Sequence, residues 1–345
     1  MFPFSPATSE ALDDFMSRPR ERALAALAET EGNIGVLGAG GKMGFHLALM
    51  LRRGLEANGQ SDRRKVVAVS RFGSAAARAK FESQGIATIS ADLGEAHQLA
   101  SLPEFPNVFF LAGVKFGTAH EPGLLEKFNV VMPRLVAERF QKSRIAALST
   151  GCVYSFVSPK TGGSSEESPT KPVGDYAISC LGRETAFREA ADQWGTRSAL
   201  IRLNYAIDLR YGVLVDIAQK VVAGLPVDLS TGFVNVIWQG DALAHIIEAL
   251  PYAGAPPFVI NVTGPGILGV RDLATGFGER FGKMPVLVGE ETETAWLNDA
   301  SKAHALFGKP EVTVDEMIEW IATWLESGGE TLGKPTHFEA RDGKY

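Results

Sequence analysis

Short apolar runs alternate with amphipathic stretches through residues 33–205. The runs read NIGVLG (33–38), VVAVS (66–70), ATIS (87–90), NVFFLAG (107–113), RIAALST (144–150) and ALIRLN (199–204). Strands that are apolar throughout are typical of a parallel sheet covered on both faces, and the stretches between them have helical spacing. The pattern therefore predicts an α/β fold with a doubly wound parallel sheet over residues 33–205.

Two further regions flank the predicted sheet. Residues 1–32 are expected to form an N-terminal helical arm, with Leu12 and Phe15 on one face and an interruption at Pro19. After residue 205 the alternation loosens into short strands near 234–238 and 258–261 and helices near 241–250, 271–282 and 313–326. We therefore expect residues 206–345 to form a smaller C-terminal α/β substrate lobe, part of which is able to return to the main sheet.

A glycine-rich turn joins the first strand to the helix that follows it. Gly38, Gly41 and Gly44 are spaced G-x-x-G-x-x-G, with Lys42 and Met43 between the last two. Such a turn needs residues without Cβ, so that the backbone approaches a pyrophosphate at a helix N-terminus. A P-loop is excluded, because Lys42 is followed by Met43 and not by Ser or Thr. The turn predicts a Rossmann-type dinucleotide site, against the alternative of a purely structural turn.

The end of the second strand bears on the choice between NAD and NADP. NAD sites usually place an acidic residue here to bind the ribose 2′-hydroxyl, whereas this chain has Ser70 and Arg71. An arginine is able to bind a 2′-phosphate, although an exposed arginine at a strand end is the simpler interpretation. The pair slightly favours NADP over NAD.

Four segments together resemble the extended short-chain dehydrogenase/reductases, the NAD-dependent epimerase/dehydratase family. They are the glycine turn, LSTGCVY (148–154), Tyr176 and RLN (202–204), and they occur in the family's order. The resemblance spans roughly residues 33–330 and loosens after residue 205. It implies a Rossmann domain with an appended substrate lobe, and an enzyme that uses a nicotinamide cofactor.

The resemblance also implies roles for individual residues. Asp92, next to Leu93, resembles the acid that contacts adenine, and Ala112 and Gly113 resemble the small pair beside the nicotinamide half. Asn129 resembles an asparagine that supports the active-site backbone. Asp241 matches a helix-opening residue of the lobe that we interpret as structural.

The same comparison implies a catalytic pair. Tyr176 matches the family's acid/base, and Thr150 matches the Ser/Thr that hydrogen-bonds the reacting oxygen. A phenol is able to move a proton to or from a carbinol oxygen while a neighbouring hydroxyl holds that oxygen. The strand that ends at Thr150 and the helix that opens at Tyr176 would bring the two side chains together at the carboxyl edge of the sheet.

The family's Tyr-x-x-x-Lys is replaced here by Tyr176-x-x-x-Cys180. The lysine holds the nicotinamide ribose and lowers the tyrosine pKa, so its loss falls inside the expected site. Three interpretations remain open: another cation substitutes, with Lys115 the best placed; catalysis relies on Tyr176 and the cofactor's own charge; or the chain binds cofactor without catalysis. We expect Cys180 itself only to pack, as apolar residues flank it.

The substrate is expected to be a small carbohydrate-like hydroxy or keto compound, such as a sugar, a sugar acid or a lactone. Val234 occupies the place of the arginine that grips a nucleotide-sugar diphosphate in the family, which disfavours the alternative of a nucleotide-sugar epimerase. Gly151 and Cys152 replace the acid pair of a dehydratase. Asn204 and Arg210 are candidate substrate residues, the latter for a carboxylate.

Composition excludes several partners. Lys+Arg number 34 against 40 Asp+Glu, a net charge of -6, so nothing indicates nucleic acid, and no apolar stretch indicates a membrane span. The two cysteines are too few for a disulfide framework and form no metal-binding pair. We expect a cytoplasmic protein with no metal. By resemblance, we expect a homodimer through helices near 120–140 and 176–194.

Overall fold

A computed structural model describes residues 6–115, 121 and 123–343. It contains strands that are mostly short and apolar. They are β1 Ile34–Leu37, β2 Val66–Ser70, β3 Ala87–Ser90, β4 Asn107–Phe110, β5 Arg144–Thr150, β6 Arg197–Leu203, β7 Ala206–Ile207, β8 Pro226–Asp228, β9 Phe233–Val234, β10 Ile237–Trp238, β11 Phe258–Val262, β12 Leu268–Gly269 and β13 Val286–Val288.

The helices cover these strands and form the lobe. They are α1 Ser9–Met16, α2 Glu21–Ala28, α3 Gly44–Ala57, α4 Ala75–Glu82, α5 Ala96–Ala100, α6 Gly123–Glu126, α7 Met132–Arg139, α8 Asp175–Trp194, α9 Val213–Ala223, α10 Gln239–Glu248, α11 Val270–Phe281, α12 Ser301–Phe307 and α13 Val314–Glu326. A π-helical segment, Lys127–Val131, connects α6 to α7, and short 3₁₀ turns occupy Gly151–Val153, Pro159–Thr161 and Leu250–Tyr252.

The central sheet has seven strands in the order β11-β6-β5-β4-β1-β2-β3, and all of its pairs are parallel. This confirms the predicted Rossmann-type doubly wound α/β fold. The strand order reverses between β1 and β4, where the two crossovers leave the sheet in opposite directions. A crevice therefore opens at the carboxyl ends of these strands, and the glycine turn lies in it.

Side chains alternate between two cores, one on each face of the sheet. Phe109 packs with α3 and α10 on one face, whereas its neighbour Phe110 packs with α7 and α8 on the other. The period of two along a strand explains why the sheet strands are apolar at successive positions. Both faces are covered, as the unbroken runs predicted.

Several boundaries differ from the sequence prediction. The run expected to be one strand near 234–238 forms two, because β9 pairs with β12 and β10 with β7. The strand near 107–113 ends at Phe110, after which the chain turns along the crevice. From the C-terminal part of the chain, β11 returns to the main sheet and pairs with β6.

The N-terminal arm consists of two helices on either side of Pro19. Leu12 and Met16 are fully buried, and α2 packs against α3 and α10. The Asp13 carboxylate accepts hydrogen bonds from Lys80 and Arg210 and hydrogen-bonds His46. The arm is therefore docked on the helix that follows the glycine turn and also on the start of the lobe.

Candidate functional site

Two adjoining cavities meet at the glycine turn. One, of about 350 Å³, extends toward Thr150 and Tyr176 and the lobe. The other, of about 440 Å³, extends toward Ser70, Arg71 and Asp92. Their position at the carboxyl edge of the sheet and their shared floor would suit the two halves of a dinucleotide.

The glycine turn has the geometry that such a ligand needs. Gly38 has φ +85°, and a Cβ there would lie 2.5 Å from the backbone nitrogen of Ala112. A Cβ on Gly44 would lie 2.2 Å from the Ala39 carbonyl oxygen, whereas one on Gly41 would meet nothing closer than 3.4 Å. Gly41 therefore faces open space, which a side chain would partly fill, and α3 begins beside it without a side-chain cap.

At the far end, Ser70 and Arg71 lie near Asp92. The Arg71 side chain is 69% exposed, and its guanidinium lies 3.8 Å from the Asp92 carboxylate. Asp92 also accepts a hydrogen bond from the Gly94 backbone, and Leu93 beside it is buried. Arg71 is thus held loosely by an acid at the mouth of the cavity, where it remains accessible to a phosphate.

The segment after β4 forms the floor between the cavities. Ala112 lines the larger cavity and Gly113 lines both. Asn129, in the π-helical segment, accepts a hydrogen bond from the Val114 nitrogen at 3.0 Å and donates one to the Val114 oxygen at 2.9 Å. A buried asparagine thus fixes the backbone just before Lys115.

Thr150 and Tyr176 line the same wall of the smaller cavity. The Thr150 hydroxyl accepts a hydrogen bond from the Cys152 nitrogen at 3.2 Å, which caps the short turn after β5 and leaves its proton free to donate. Tyr176 lies in the first turn of α8, which follows Gly174, and the φ of +82° at this glycine allows the sharp entry. The structure therefore brings the two predicted catalytic side chains to one surface.

The surroundings of Tyr176 keep its phenol protonated. Burial raises the Tyr176 pKa well above its ordinary value, and the Cys180 and Cys152 thiols and a hydrogen bond with Cys180 raise it further. Burial likewise raises the pKa of Cys180, so the thiol is not a nucleophile at neutral pH. Both cysteines are buried and unbridged.

Two cations lie close to Tyr176. Lys115 places its ammonium 5.6 Å from the centroid of the phenol ring, and burial lowers the pKa of this lysine. Arg183, 6% exposed, donates from Nη1 to the Leu148 oxygen at 2.7 Å and from Nη2 to Asn129 Oδ1 at 2.8 Å. The Arg183 charge acts against burial and offsets part of the rise in the Tyr176 pKa.

Arg183 is a site residue that the sequence analysis missed. A signal was present, because Tyr176, Cys180 and Arg183 follow the i, i+4, i+7 spacing of one helix face. The residue after Arg183 holds this face of α8 against the sheet. There the buried Glu184 carboxylate accepts hydrogen bonds from Arg202 and Ser149, which fixes α8 to β5 and β6.

Neither of the two candidate substrate residues, Asn204 and Arg210, lines the cavity. Asn204 is 3% exposed and donates to the Asn235 side chain and the Trp296 oxygen. Arg210 is paired with Asp208 and Asp13 and is not among the residues that line the cavity. Both carboxylates belong to the chain itself, and they already bind the guanidinium group that a substrate carboxylate would need.

Other predicted positions have structural contacts. Asp241 accepts a hydrogen bond from the Val312 nitrogen and lies 3.5 Å from Arg20, while burial raises its pKa to about 6. Val234 is fully buried in the lobe. The cavity is lined instead by Tyr205, just before the lobe, and Tyr211, within it, neither of which the sequence analysis singled out.

Fold and site together describe a Rossmann-type protein with a smaller C-terminal lobe. The model of the NAD dependent epimerase/dehydratase family matches residues 34–207, half of the chain. The chain belongs to this family, which confirms the resemblance noted in its sequence. A sequence comparison with curated proteins gives no match.

Many solved structures have a similar fold. Pal from Bacillus thuringiensis has a TM-score of 0.70 at 16% identity, and UDP-glucose 4-epimerase from Thermotoga maritima with UDP-glucose has 0.69 at 19%; each comparison covers 86% of this chain and 99% of the other. UDP-glucuronic acid 4-epimerase from Bacillus cereus with NAD has 0.68 at 18%, covering 85% and 98%. At these identities the likeness concerns the fold.

Among the helices described, none combines the length and apolar composition needed to cross a bilayer. In the described part of the chain, no three His, Cys, Asp or Glu side chains come together as ligands for a metal ion.

Proposed function

We propose that the protein is an NAD(P)-dependent oxidoreductase of small carbohydrate-like hydroxy or keto compounds. The observation that carries the proposal is that Thr150, Tyr176 and the glycine turn open into one cavity of about 350 Å³. Family membership supports a nicotinamide cofactor, and several fold neighbours were solved with NAD. A bound nicotinamide would exchange a hydride with the substrate carbon.

The residues of this chain handle the proton. Thr150 donates a hydrogen bond to the substrate oxygen and holds it near Tyr176. Tyr176 then donates its proton to that oxygen as the carbonyl is reduced, or accepts it in the reverse direction. Because burial raises its pKa, the phenol is set up as a proton donor. The arrangement therefore favours reduction of a keto group at neutral pH.

We assign the role of the absent lysine to two residues. Lys115, against the phenol ring, supplies a positive charge that offsets a developing phenolate. Arg183 joins the Leu148 carbonyl to Asn129 and so holds together two walls that would flank the nicotinamide half of a bound cofactor. Cys180 packs against Val153 and Tyr154 and hydrogen-bonds the Tyr176 phenol.

The second candidate function is a nucleotide-sugar epimerase. It is favoured by the fold neighbours named above, which include epimerases solved with UDP-sugars. Against it, Val234 stands where such enzymes place an arginine, and the sequence has no basic residue between Lys220 and Asp241. A non-catalytic role as a cofactor sensor is the third. A cytoplasmic location and a homodimer remain predictions.

Turnover by single variants tests the proposal. Reduction of a panel of keto sugars, keto acids and lactones with NADH or NADPH is followed by loss of absorbance at the nicotinamide band. Tyr176→Phe should lower turnover by about 10²–10⁴-fold, with cofactor affinity retained. Tyr252→Phe, on an exposed tyrosine, is the matched control. Full turnover by Tyr176→Phe would show that the phenol is not the acid/base. Failure of the unmodified protein to bind either cofactor would contradict the proposed function.

A further inference from the structure

The charged side chains described in the lining of the smaller cavity are all basic. Lys42, Lys115 and Arg183 line it, and none of the lining residues that the structure describes is Asp or Glu. Lys115 and Arg183 lie at the Tyr176 end, as described above. Lys42 lies at the opposite end, where the cavity meets the lobe, and the proposed mechanism does not use its ammonium.

Lys42 belongs to the glycine turn by sequence, yet its side chain extends into the lobe. Its ammonium donates to the Ala206 oxygen at 3.3 Å and lies 4.1 Å from the centroid of the Tyr211 ring. No carboxylate of the described residues lies within 4 Å of it. One long hydrogen bond leaves two of its three N–H donors available.

The nearest acids are engaged elsewhere. Asp208 is paired with Arg210. Asp216 accepts hydrogen bonds from the nitrogen and the hydroxyl of Thr336, at 2.7 and 2.5 Å. Burial lowers the Lys42 pKa to about 8, Asp208 and Asp216 oppose this, and Arg210 adds to it. The ammonium is thus mostly charged at pH 7 without a direct counter-ion.

The surfaces around Lys42 are suited to a small polar anion. Gly212 and Val213 line the cavity where α9 begins, and that helix has no side-chain cap. Burial raises the pKa of Tyr211 to about 12, so its phenol remains a hydrogen-bond donor. Tyr205 lines the cavity from a backbone with φ +39°, a conformation that costs energy in a residue with a side chain.

We propose that the Lys42 end of the cavity binds the carboxylate of the substrate, so that the substrate is a short-chain polyhydroxy or keto acid. This rests on the proposed function, because the other end of the same molecule must reach Thr150 and Tyr176. The acid would share this cavity of about 350 Å³ with part of the cofactor, which favours an acid of a few carbons.

An anion at Lys42 has a second source, the pyrophosphate of the cofactor. The two sources are distinguished by which affinity a Lys42 variant loses, that for the acid or that for the cofactor. Backbone N–H groups of the glycine turn would serve a pyrophosphate without Lys42. Among the described lining residues, a carboxylate beside Tyr211 and Ala206 has no other cation at that end. Removal of the ammonium should therefore weaken the acid and not the cofactor.

The test is calorimetric titration of the full chain, saturated with NADPH or NADH, with four- to six-carbon aldonates and with the alditols of the same length. We expect at least one aldonate to bind about tenfold or more tightly than its alditol. Lys42→Met should abolish that preference, Lys42→Arg should retain it, and both should leave the Kd of the cofactor within about threefold. Tyr252→Phe is again the control for folding.

The pH dependence provides a second readout. Because the Lys42 pKa is about 8, the charged fraction falls about tenfold between pH 7 and pH 9, and the Kd of the aldonate should rise by about that factor. In Lys42→Arg it should stay flat. Equal binding of aldonates and alditols, or no aldonate binding by the cofactor-loaded protein, would overturn the inference. An equal loss of cofactor affinity in Lys42→Met would assign the lysine to the pyrophosphate instead. If the unmodified chain bound neither NADH nor NADPH, the proposed function itself would be overturned.

Discussion

The Lys115→Met variant tests whether a cation outside α8 stabilises the phenolate of Tyr176. The ammonium lies 5.6 Å from the centroid of the phenol ring, over which part of a phenolate's charge is spread. At an effective dielectric of about 20, unit charges at this separation interact by about 3 kcal/mol. That energy equals about two pKa units of the tyrosine, or about a hundredfold in rate where the phenolate must form. Methionine keeps the length of the side chain and removes only its charge.

The assay is kcat/KM for oxidation of the alcohol substrate, measured from pH 6 to pH 10. We expect Lys115→Met to lose about 30–150-fold at neutral pH and to move the rising limb of the profile upward by about two pH units. Because burial lowers the Lys115 pKa, the difference from the unmodified protein should shrink at the alkaline end. Lys142→Met, on an exposed lysine before β5, should change neither quantity. An unchanged profile in Lys115→Met, with cofactor affinity intact, would refute the assignment.

Three further outcomes follow from described contacts. Cys180→Ser should change turnover less than about threefold, because the thiol only packs and hydrogen-bonds the phenol, whereas Cys180→Lys should raise oxidation at neutral pH; kcat/KM in both directions checks this. Arg71→Ala should weaken NADPH by about tenfold or more and leave NADH nearly unchanged in titration, and equal losses would argue against a 2′-phosphate contact. Ile178→Asp should convert a dimer to a monomer in light scattering at micromolar concentration, because Ile178, on α8, and Val131, on the other predicted interface segment, are exposed apolar side chains. A mass that never exceeds one chain would contradict the homodimer.

Most of the sheet was predictable because its signal is local. Each strand is an apolar run, and the bounds of β2, β3 and β5 agree with the sequence prediction residue for residue. The short strands of the lobe were less predictable, because two-residue strands such as β9 and β10 depend on partners distant in sequence. The π-helical segment that carries Asn129 has no sequence signature of its own.

For the site, motif positions were predictable and side-chain directions were not. The sequence analysis placed Lys42 with the cofactor, but which way a lysine leaves a turn depends on the lobe packed against it. Arg210 looked available for a substrate carboxylate, because the chain gives no hint that Asp13, nearly two hundred residues earlier, would pair with it. Arg183 was visible as a spacing, yet its importance comes from its contact with Asn129.

The Asp13 carboxylate has a mechanical consequence. It ties together three elements: α3 through His46, α4 through Lys80, and the start of the lobe through Arg210. Hydrogen bonds from His46 and Lys80 lower the Asp13 pKa against the opposing effect of burial, so the carboxylate stays ionised throughout the neutral range. Opening the lobe away from the nucleotide half would separate Asp13 either from Arg210 or from His46 and Lys80. The loss of attraction between these partly buried charges resists a hinge. We therefore expect a cleft of fixed width, with ligands exchanging through its mouth.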